Sequence, residues 1–338
     1  MRLYILSFLL IFFASCNNNS APETKTETPE RSEKLQDPIR ILSDSIAVDS
    51  TNAELFVRRA QLYFEEERIG NALSDINQAL NLNNKLVEAY LILAEIYYGM
   101  GLAESVTTTL AKAVEVAPND PRPQVKLAEL NLLQRNLRMA HAYINKALAM
   151  GSYNPEAYYV RGLVFLAQED TVSAMKNFML ARDQDENFFE AIYQIGVVYT
   201  AQRNSLAKDF LKDAIHRFPE SVVARYQLAL YLQDNEEVEA AMAHYDTLLT
   251  MKPDNPMFLF NIGYVHLVYL QEYEKALSYF DAALSIEPNY VDALFNKGRT
   301  LEEMEQYASA RELYQEVLRQ QANYPLAIEG LNRLDRRK

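Results

Sequence analysis

One period constrains this chain more than any other feature. A shift of about 34 residues superposes eight segments, which start at Ala53, Val87, Pro121, Pro155, Phe189, Val222, Pro256 and Val291. In the first half of each segment one place is always small: Ala60, Ala94, Ala128, Gly162, Gly196, Ala229, Gly263 and Gly298. In the second half another place reads Ala72, Val106, Ala140, Ala174, Ala207, Ala241, Ala276 and Ala310. Four residues further on stands an apolar or aromatic side chain: Ile76, Leu110, Ile144, Phe178, Leu211, Tyr245, Phe280 and Tyr314. Small residues let two helices approach closely, and the large ones fill the space around them. Each segment therefore predicts two short amphipathic helices. Such a pair cannot bury its apolar face alone and needs a copy on either side. Segment five is one residue short and segment seven one residue long. Both changes are expected in the turn between the helices, where they least disturb packing.

Composition agrees with a stack of helices. Hydrophobic residues make up 49% of the 338, glycine is scarce at 9, and long β-branched runs are absent. The net charge of −13 argues against a nucleic-acid partner, because phosphate binding needs a basic patch. Acidic runs such as Glu65–Glu67 read as solvated turns. His141, His216, His244 and His266 fall in four different segments, and none has a second His or Cys at ligand spacing. His266 takes a core or boundary place. No phosphate-binding glycine loop or nucleophile elbow occurs. The expectation is a chain with no catalytic residues, no metal and no cofactor.

The N-terminus carries a different signal. Arg2 and the free amine precede an apolar stretch, Leu3–Phe13, too short to span a bilayer as a stable helix. Phe13, Ala14 and Ser15 then lead to Cys16, the one cysteine in the chain, so no intramolecular disulfide can form. This stretch resembles a bacterial lipobox, although Phe13 departs from the usual aliphatic residue. The resemblance implies cleavage after residues 1–15 and acylation of Cys16, with several acyl chains giving a stable membrane anchor. Asn17 is not the aspartate associated with inner-membrane retention, and no acidic run follows Cys16. By that resemblance the expected location is the bacterial outer membrane, facing the periplasm. Residues 16–37 are polar, contain Pro22 and Pro29, and read as a disordered tether with a reach of roughly 25 Å. Residues 38–52 hold a lone helix that caps the stack, and residues 325–338 hold a second cap closed by Arg333, Arg336, Arg337 and Lys338.

The period and its small and large places, from Ala53 to Tyr324, resemble the tetratricopeptide repeat. The family's tryptophan is absent; Phe56, Tyr90, Tyr158 and Leu259 are among its replacements. The closing proline survives as Pro118, Pro219, Pro253 and Pro288. Repeat three departs most, with Gln124 and Asn131 at normally apolar places, which marks it for a softer junction. The resemblance implies an all-α superhelix, a right-handed solenoid of about eight helix-turn-helix repeats over residues 53–324. It also implies that first helices line a concave groove, into which their fifth, sixth and ninth positions point.

In repeats four to eight the fifth position is Tyr159, Tyr193, Tyr226, Phe260 and Phe295. The sixth position in repeats five to eight is Gln194, Gln227, Asn261 and Asn296, where earlier repeats have Arg58, Ile92, Lys126 and Val160. Tyr264 occupies a ninth position. Rings offer apolar contact with few rotors to freeze. Carboxamides offer a donor and an acceptor to an extended peptide backbone. The carboxamide row resembles the asparagine ladders of some peptide-binding relatives, whereas the lysines of the chaperone-tail clamp are missing at the fifth position. Packing between first helices is the competing use of the rings. The leading expectation is thus a non-enzymatic, membrane-anchored adaptor for envelope assembly or maintenance that binds a protein or extended peptide. The alternative is a purely structural subunit or spacer.

Overall fold

A computed structural model describes residues 37–151 and 153–336. The signal segment, Cys16 and the tether up to residue 36 lie outside the described residues, as do Arg337 and Lys338. Among the described residues the protein is all-α, with eighteen α-helices, one π-helical turn and no strand. It is an α-α solenoid of paired helices.

The described residues divide into two units, one ending at Glu186 and the other beginning at Asn187. In the N-terminal unit a capping helix, α1 (Pro38–Val48), precedes four hairpins. These pair α2 (Ala53–Glu65) with α3 (Ile69–Leu82), and α4 (Val87–Gly99) with α5 (Ala103–Val116). Next come α6 (Arg122–Leu133) with α7 (Leu137–Met150), and α8 (Pro155–Ala167) with α9 (Thr171–Gln184). In the C-terminal unit the pairs are α10 (Phe189–Ala201) with α11 (Leu206–Arg217), and α12 (Val222–Asp234) with α13 (Val238–Met251). They continue with α14 (Pro256–Val265) and α15 (Tyr273–Ile286), then α16 (Val291–Glu303) and α17 (Tyr307–Gln320), closed by α18 (Pro325–Arg336). The division falls between repeats four and five, not in the irregular repeat three. There Asn131 bonds back to the Leu127 carbonyl, while Gln124 is buried with its Oε1 unpaired.

Local sequence explains where the helices start and stop. Asp37, assigned to the tether from sequence, instead caps α1 by accepting from the Ile39 amide. Asn154 accepts from Ala157 N ahead of Pro155, and Asn255 accepts from Met257 N and Phe258 N ahead of Pro256. A side-chain acceptor satisfies first-turn amides, and proline lacks the donor that would otherwise be orphaned. Each hairpin turn has one residue in the left-handed region: Glu67, Gly101, Arg135, Glu169, Arg203, Glu236, Gln271 and Glu305. Left-handed backbone costs a residue with a Cβ on the order of 1 kcal/mol, and only repeat two uses glycine. Hydrogen bonds offset that cost, as where Glu169 N and Asp170 N close on the carbonyls of Leu166 and Phe165.

The expected core is present, with one refinement. The small places are shut from solvent: Ala60, Ala72, Ala128, Ala140, Ala174, Ala207, Ala229, Ala241, Ala276 and Ala310 are all 0% exposed. The glycines at the small place, Gly162, Gly196, Gly263 and Gly298, each face the large side chain of the second helix. A Cβ on Gly162 would lie 2.5 Å from the Phe178 ring, and one on Gly263 would lie 2.8 Å from that of Phe280. The terminal helix repeats this device, since Gly330 sits against the other side of Tyr314. Where the large residue is a tyrosine, its buried hydroxyl needs an acceptor. Tyr245 donates to Gln233 Oε1 and Tyr314 to Glu302 Oε2, at 2.9 and 2.7 Å. In the Phe178 and Phe280 repeats, leucines (Leu166, Leu267) fill the corresponding place.

The extra residue of repeat seven was expected in the turn. It is taken up inside the first helix instead, as a π-helical turn, His266–Leu270, that widens the end of α14. His266 is buried there, as its boundary place implied. Its Nδ1 lies 2.7 Å from Glu272 Oε2, and its ring stacks on Tyr279.

Candidate functional site

The ring row is mostly packing. Tyr159, Tyr193 and Phe295 are buried, whereas Tyr226, Phe260 and Tyr264 remain half-buried. Each fifth-position ring leans on its own hairpin or the next. Tyr159 meets Phe178, Tyr226 meets Tyr245 and Phe258, Phe260 meets Phe280 and Tyr290, and Phe295 meets Tyr314 and Tyr324, with centroids 5.2–6.4 Å apart. Tyr193 stacks on Phe189, and its hydroxyl is enclosed without a hydrogen-bond partner. Burial pushes its pKa up, as an unshared phenol in an apolar setting requires. Tyr264 meets Phe260 and Tyr269 at the rim of the row.

The carboxamide row splits in two. Asn261 and Asn296, at sixth positions that the resemblance points into the groove, are each only 6% exposed. The short asparagine side chain reaches its own helix one turn back. Asn261 Nδ2 donates to the Met257 carbonyl at 2.7 Å, and Asn296 Nδ2 donates to that of Asp292 at 2.8 Å. Asn261 also donates to the Tyr226 hydroxyl at 3.0 Å, so the two rows bond to each other across repeats six and seven. Among the described residues, neither Oδ1 accepts a hydrogen bond. Gln194 and Gln227, one repeat apart, are half-buried, and no described residue bonds to their carboxamides. Gln194 and Gln227, at one register of α10 and α12, thus keep both functions of the amide available, whereas Asn261 and Asn296 at the same register of α14 and α16 are buried.

The sequence reading passed over a second constellation in the N-terminal unit. A small hollow of about 30 Å³ lies between α4, α5 and α6. Leu91, Tyr98, Val106, Leu110, Leu130 and Leu133 form its apolar walls, and Glu95, Lys126 and Glu129 supply its charges. Lys126 Nζ lies 3.2 Å from Glu129 Oε2 and 3.2 Å from Glu156 Oε1. Glu129 Oε2 is enclosed and accepts no hydrogen bond, despite that ion-pair distance. Burial raises the pKa of both Glu95 and Glu129, against the pull of Lys126. Burial opposes the Lys126 charge, but Glu129, Glu156 and Glu95 outweigh it and raise its pKa. A sequence signal for this site exists. Across the eight repeats the ninth position reads Gln61, Glu95, Glu129, Leu163, Val197, Leu230, Tyr264 and Arg299. The two acids are neighbours, with Lys126 at the sixth position between them in the chain.

No cluster of three or more His, Cys, Asp or Glu suited to a metal occurs among the described residues. No described helix is long and apolar enough to cross a membrane.

Three segments match family models described as tetratricopeptide repeat, at residues 53–86, 198–256 and 267–333. None of these models describes an enzyme. The mitochondrial import receptor subunit TOM70 of Rattus norvegicus is 23% identical over 230 residues, 63% of this chain and 37% of the relative. Serine/threonine-protein phosphatase 5 of Homo sapiens is 24% identical over 185 residues, 52% of this chain and 37% of the relative. The chain therefore spans little more than a third of the curated relatives it matches. Among solved structures, that of the APC/C hetero-tetramer Cut9–Hcn1 aligns with a TM-score of 0.61 over 88% of this chain and 58% of the other, at 16% identity, which is a likeness of fold. The matches place tetratricopeptide repeats at residues 53–86, 198–256 and 267–333, and the period, the hairpins and the small-to-large contacts repeat the same pattern between them.

Proposed function

We propose that the protein is an adaptor, held at the bacterial outer membrane by acylated Cys16 and facing the periplasm, that binds an extended segment of a protein partner. One observation carries the binding half of this reading: the half-buried carboxamides of Gln194 and Gln227, one per repeat, to which no described residue bonds. Extended backbone presents donors and acceptors at intervals, and such a row can pair with it. The half-buried rings of Tyr226, Phe260 and Tyr264 add apolar contact beside it. Resemblance to tetratricopeptide proteins, whose folds commonly serve protein–protein interaction, supports the same reading. The lipobox-like stretch before Cys16 supports the anchor.

A photo-crosslinking residue replacing Gln227, in cells that make either the wild-type anchor or Cys16→Ala, tests both halves. The expected outcome is one recurrent partner captured from position 227 and not from Ser278, an exposed position on α15. Fatty-acid label should be present in the wild type and absent from Cys16→Ala. Label carried equally by both forms would overturn the anchor, and equal capture from both positions would overturn the binding face. The second reading, a structural subunit that uses other surfaces, is favoured by the burial of Tyr193, Phe295, Asn261 and Asn296. It predicts fixed-stoichiometry copurification that does not depend on position 227.

A further inference from the structure

We infer that the face formed by α10, α12 and α14 takes a proline-rich segment of a partner in the polyproline II conformation, with a basic residue at the end nearest Tyr269. The place rests on the adaptor reading. The chemistry rests on the rings, the carboxamides and their spacing.

Four half-buried rings adjoin in series: Tyr290, Phe260, Tyr264 and Tyr269. Their centroids follow at 5.2, 6.3 and 6.4 Å. The π-helical turn of repeat seven supplies Tyr269, so the extra residue lengthens the strip. Tyr226 joins from α12 through the 3.0 Å bond that Asn261 Nδ2 donates to its hydroxyl. Rings held by their neighbours have little rotamer freedom left to lose on binding. Partly open, they suit the apolar ring of proline, and aromatic-lined grooves are a recurrent setting for polyproline II.

Spacing points the same way. α10 and α12 pack against each other, and packed helices lie about 8–10 Å apart. Gln194 and Gln227 hold the same register on those two helices. A polyproline II chain shows the same side every three residues, or about 9 Å. A β-strand does so every two residues, at about 6.7 Å, and falls out of step with the helices. Polyproline II backbone makes no internal hydrogen bonds. Its carbonyls are therefore open to the Gln194 and Gln227 amides, to which no described residue bonds.

Charge selects the flank. No charged side chain stands at the fifth, sixth or ninth position of repeats five to seven. At the Tyr269 end, burial, then Tyr264 and the charges of Asp234 and Glu236, raise the tyrosine pKa. Both acids are exposed, and neither forms an ion pair with a described residue. An uncharged face with acids at one end complements an uncharged segment that ends in a cation.

The test uses the full chain with its phenylalanine and tyrosine rings labelled for NMR. It is titrated with a peptide of nine prolines, about three turns of polyproline II, followed by arginine. A second peptide replaces the arginine by glutamate, and a third replaces the prolines by alternating glycine and serine. The proline–arginine peptide should give saturable shifts at Phe260, Tyr264 and Tyr269. The glycine–serine peptide should bind about tenfold more weakly or worse, and the glutamate peptide several-fold more weakly. Gln227→Ala should weaken the proline–arginine peptide several-fold, with its ligand-free ring spectrum verifying the fold. Shifts that do not saturate or fall on other rings, an equal response to glycine–serine, or unchanged affinity in Gln227→Ala would overturn the assignment. Equal affinity for arginine and glutamate would overturn the basic flank. Failure here with crosslinking from position 227 intact removes the proline-rich segment alone. Binding of the proline peptide without a crosslinked partner removes the adaptor reading alone.

Discussion

Arg59→Ala is expected to cost the N-terminal unit about 3 kcal/mol of unfolding free energy. Arg59 holds Asp75 bidentately, with Nε to Oδ2 at 2.7 Å and Nη2 to Oδ1 at 2.8 Å. Its third contact is Nη1 to Ser43 Oγ at 3.0 Å, which ties the capping helix α1 to the first hairpin. The side chains are only 17% and 8% exposed, so truncation leaves the Asp75 carboxylate buried without its partner. The loss arises mainly from that stranded charge, not from the worth of the pair. The double variant Arg59→Met with Asp75→Leu should therefore recover most of it. Denaturant unfolding measures both variants. A cost below about 1 kcal/mol for Arg59→Ala would mean that solvent screens the pair as it does at a surface. Hydrogen exchange should locate the damage in α1, α2 and α3, because repeats in a stack depend on their neighbours.

Gly263→Leu should destabilise the C-terminal unit by about 1–3 kcal/mol through overpacking. Even a Cβ at this position would lie 2.8 Å from Phe280 Cε1 and 3.2 Å from Tyr279 Cβ. Phe280 is 0% exposed and has nowhere to move. Phe280→Ala alone should cost about 3–5 kcal/mol as a cavity. The two changes together should cost clearly less than their sum, because each fills or empties the same space. Faster exchange should spread over α12–α17 within that unit. Strict additivity, or unfolding indistinguishable from wild type, would contradict the contact between Gly263 and Phe280.

The repeat and its core were legible in the sequence for a simple reason. Close approach of two helices admits only a small residue, and eight in-phase copies of Gly or Ala leave one register. Three features needed the third dimension. The extra residue of repeat seven could have lengthened a loop or widened a helix, and both leave the same letters between Gly263 and Ala276. Asparagine and glutamine read alike as a carboxamide row. Only Asn261 and Asn296 fold back onto their own helix, so half the row became structure and Gln194 and Gln227 kept both functions of the amide. The acids of the hollow read as ordinary solvated charges, because Glu95 and Lys126 lie on first helices of successive repeats and meet only when α4 packs beside α6. The ninth-position pair Glu95 and Glu129 carried the signal, but two acids in successive repeats read equally well as a solvated face.

The proposed binding surface is the first-helix face of the C-terminal unit, through the carboxamides of Gln194 and Gln227. The most direct measurement is the affinity of the partner captured from position 227 for Gln194→Ala with Gln227→Ala, beside the melting curve of that variant. Each lost backbone pairing is worth roughly 1 kcal/mol. Binding is therefore expected to weaken about tenfold or more at an unchanged melting temperature, because no described residue bonds to these two side chains. Unchanged affinity in a folded double variant would contradict it.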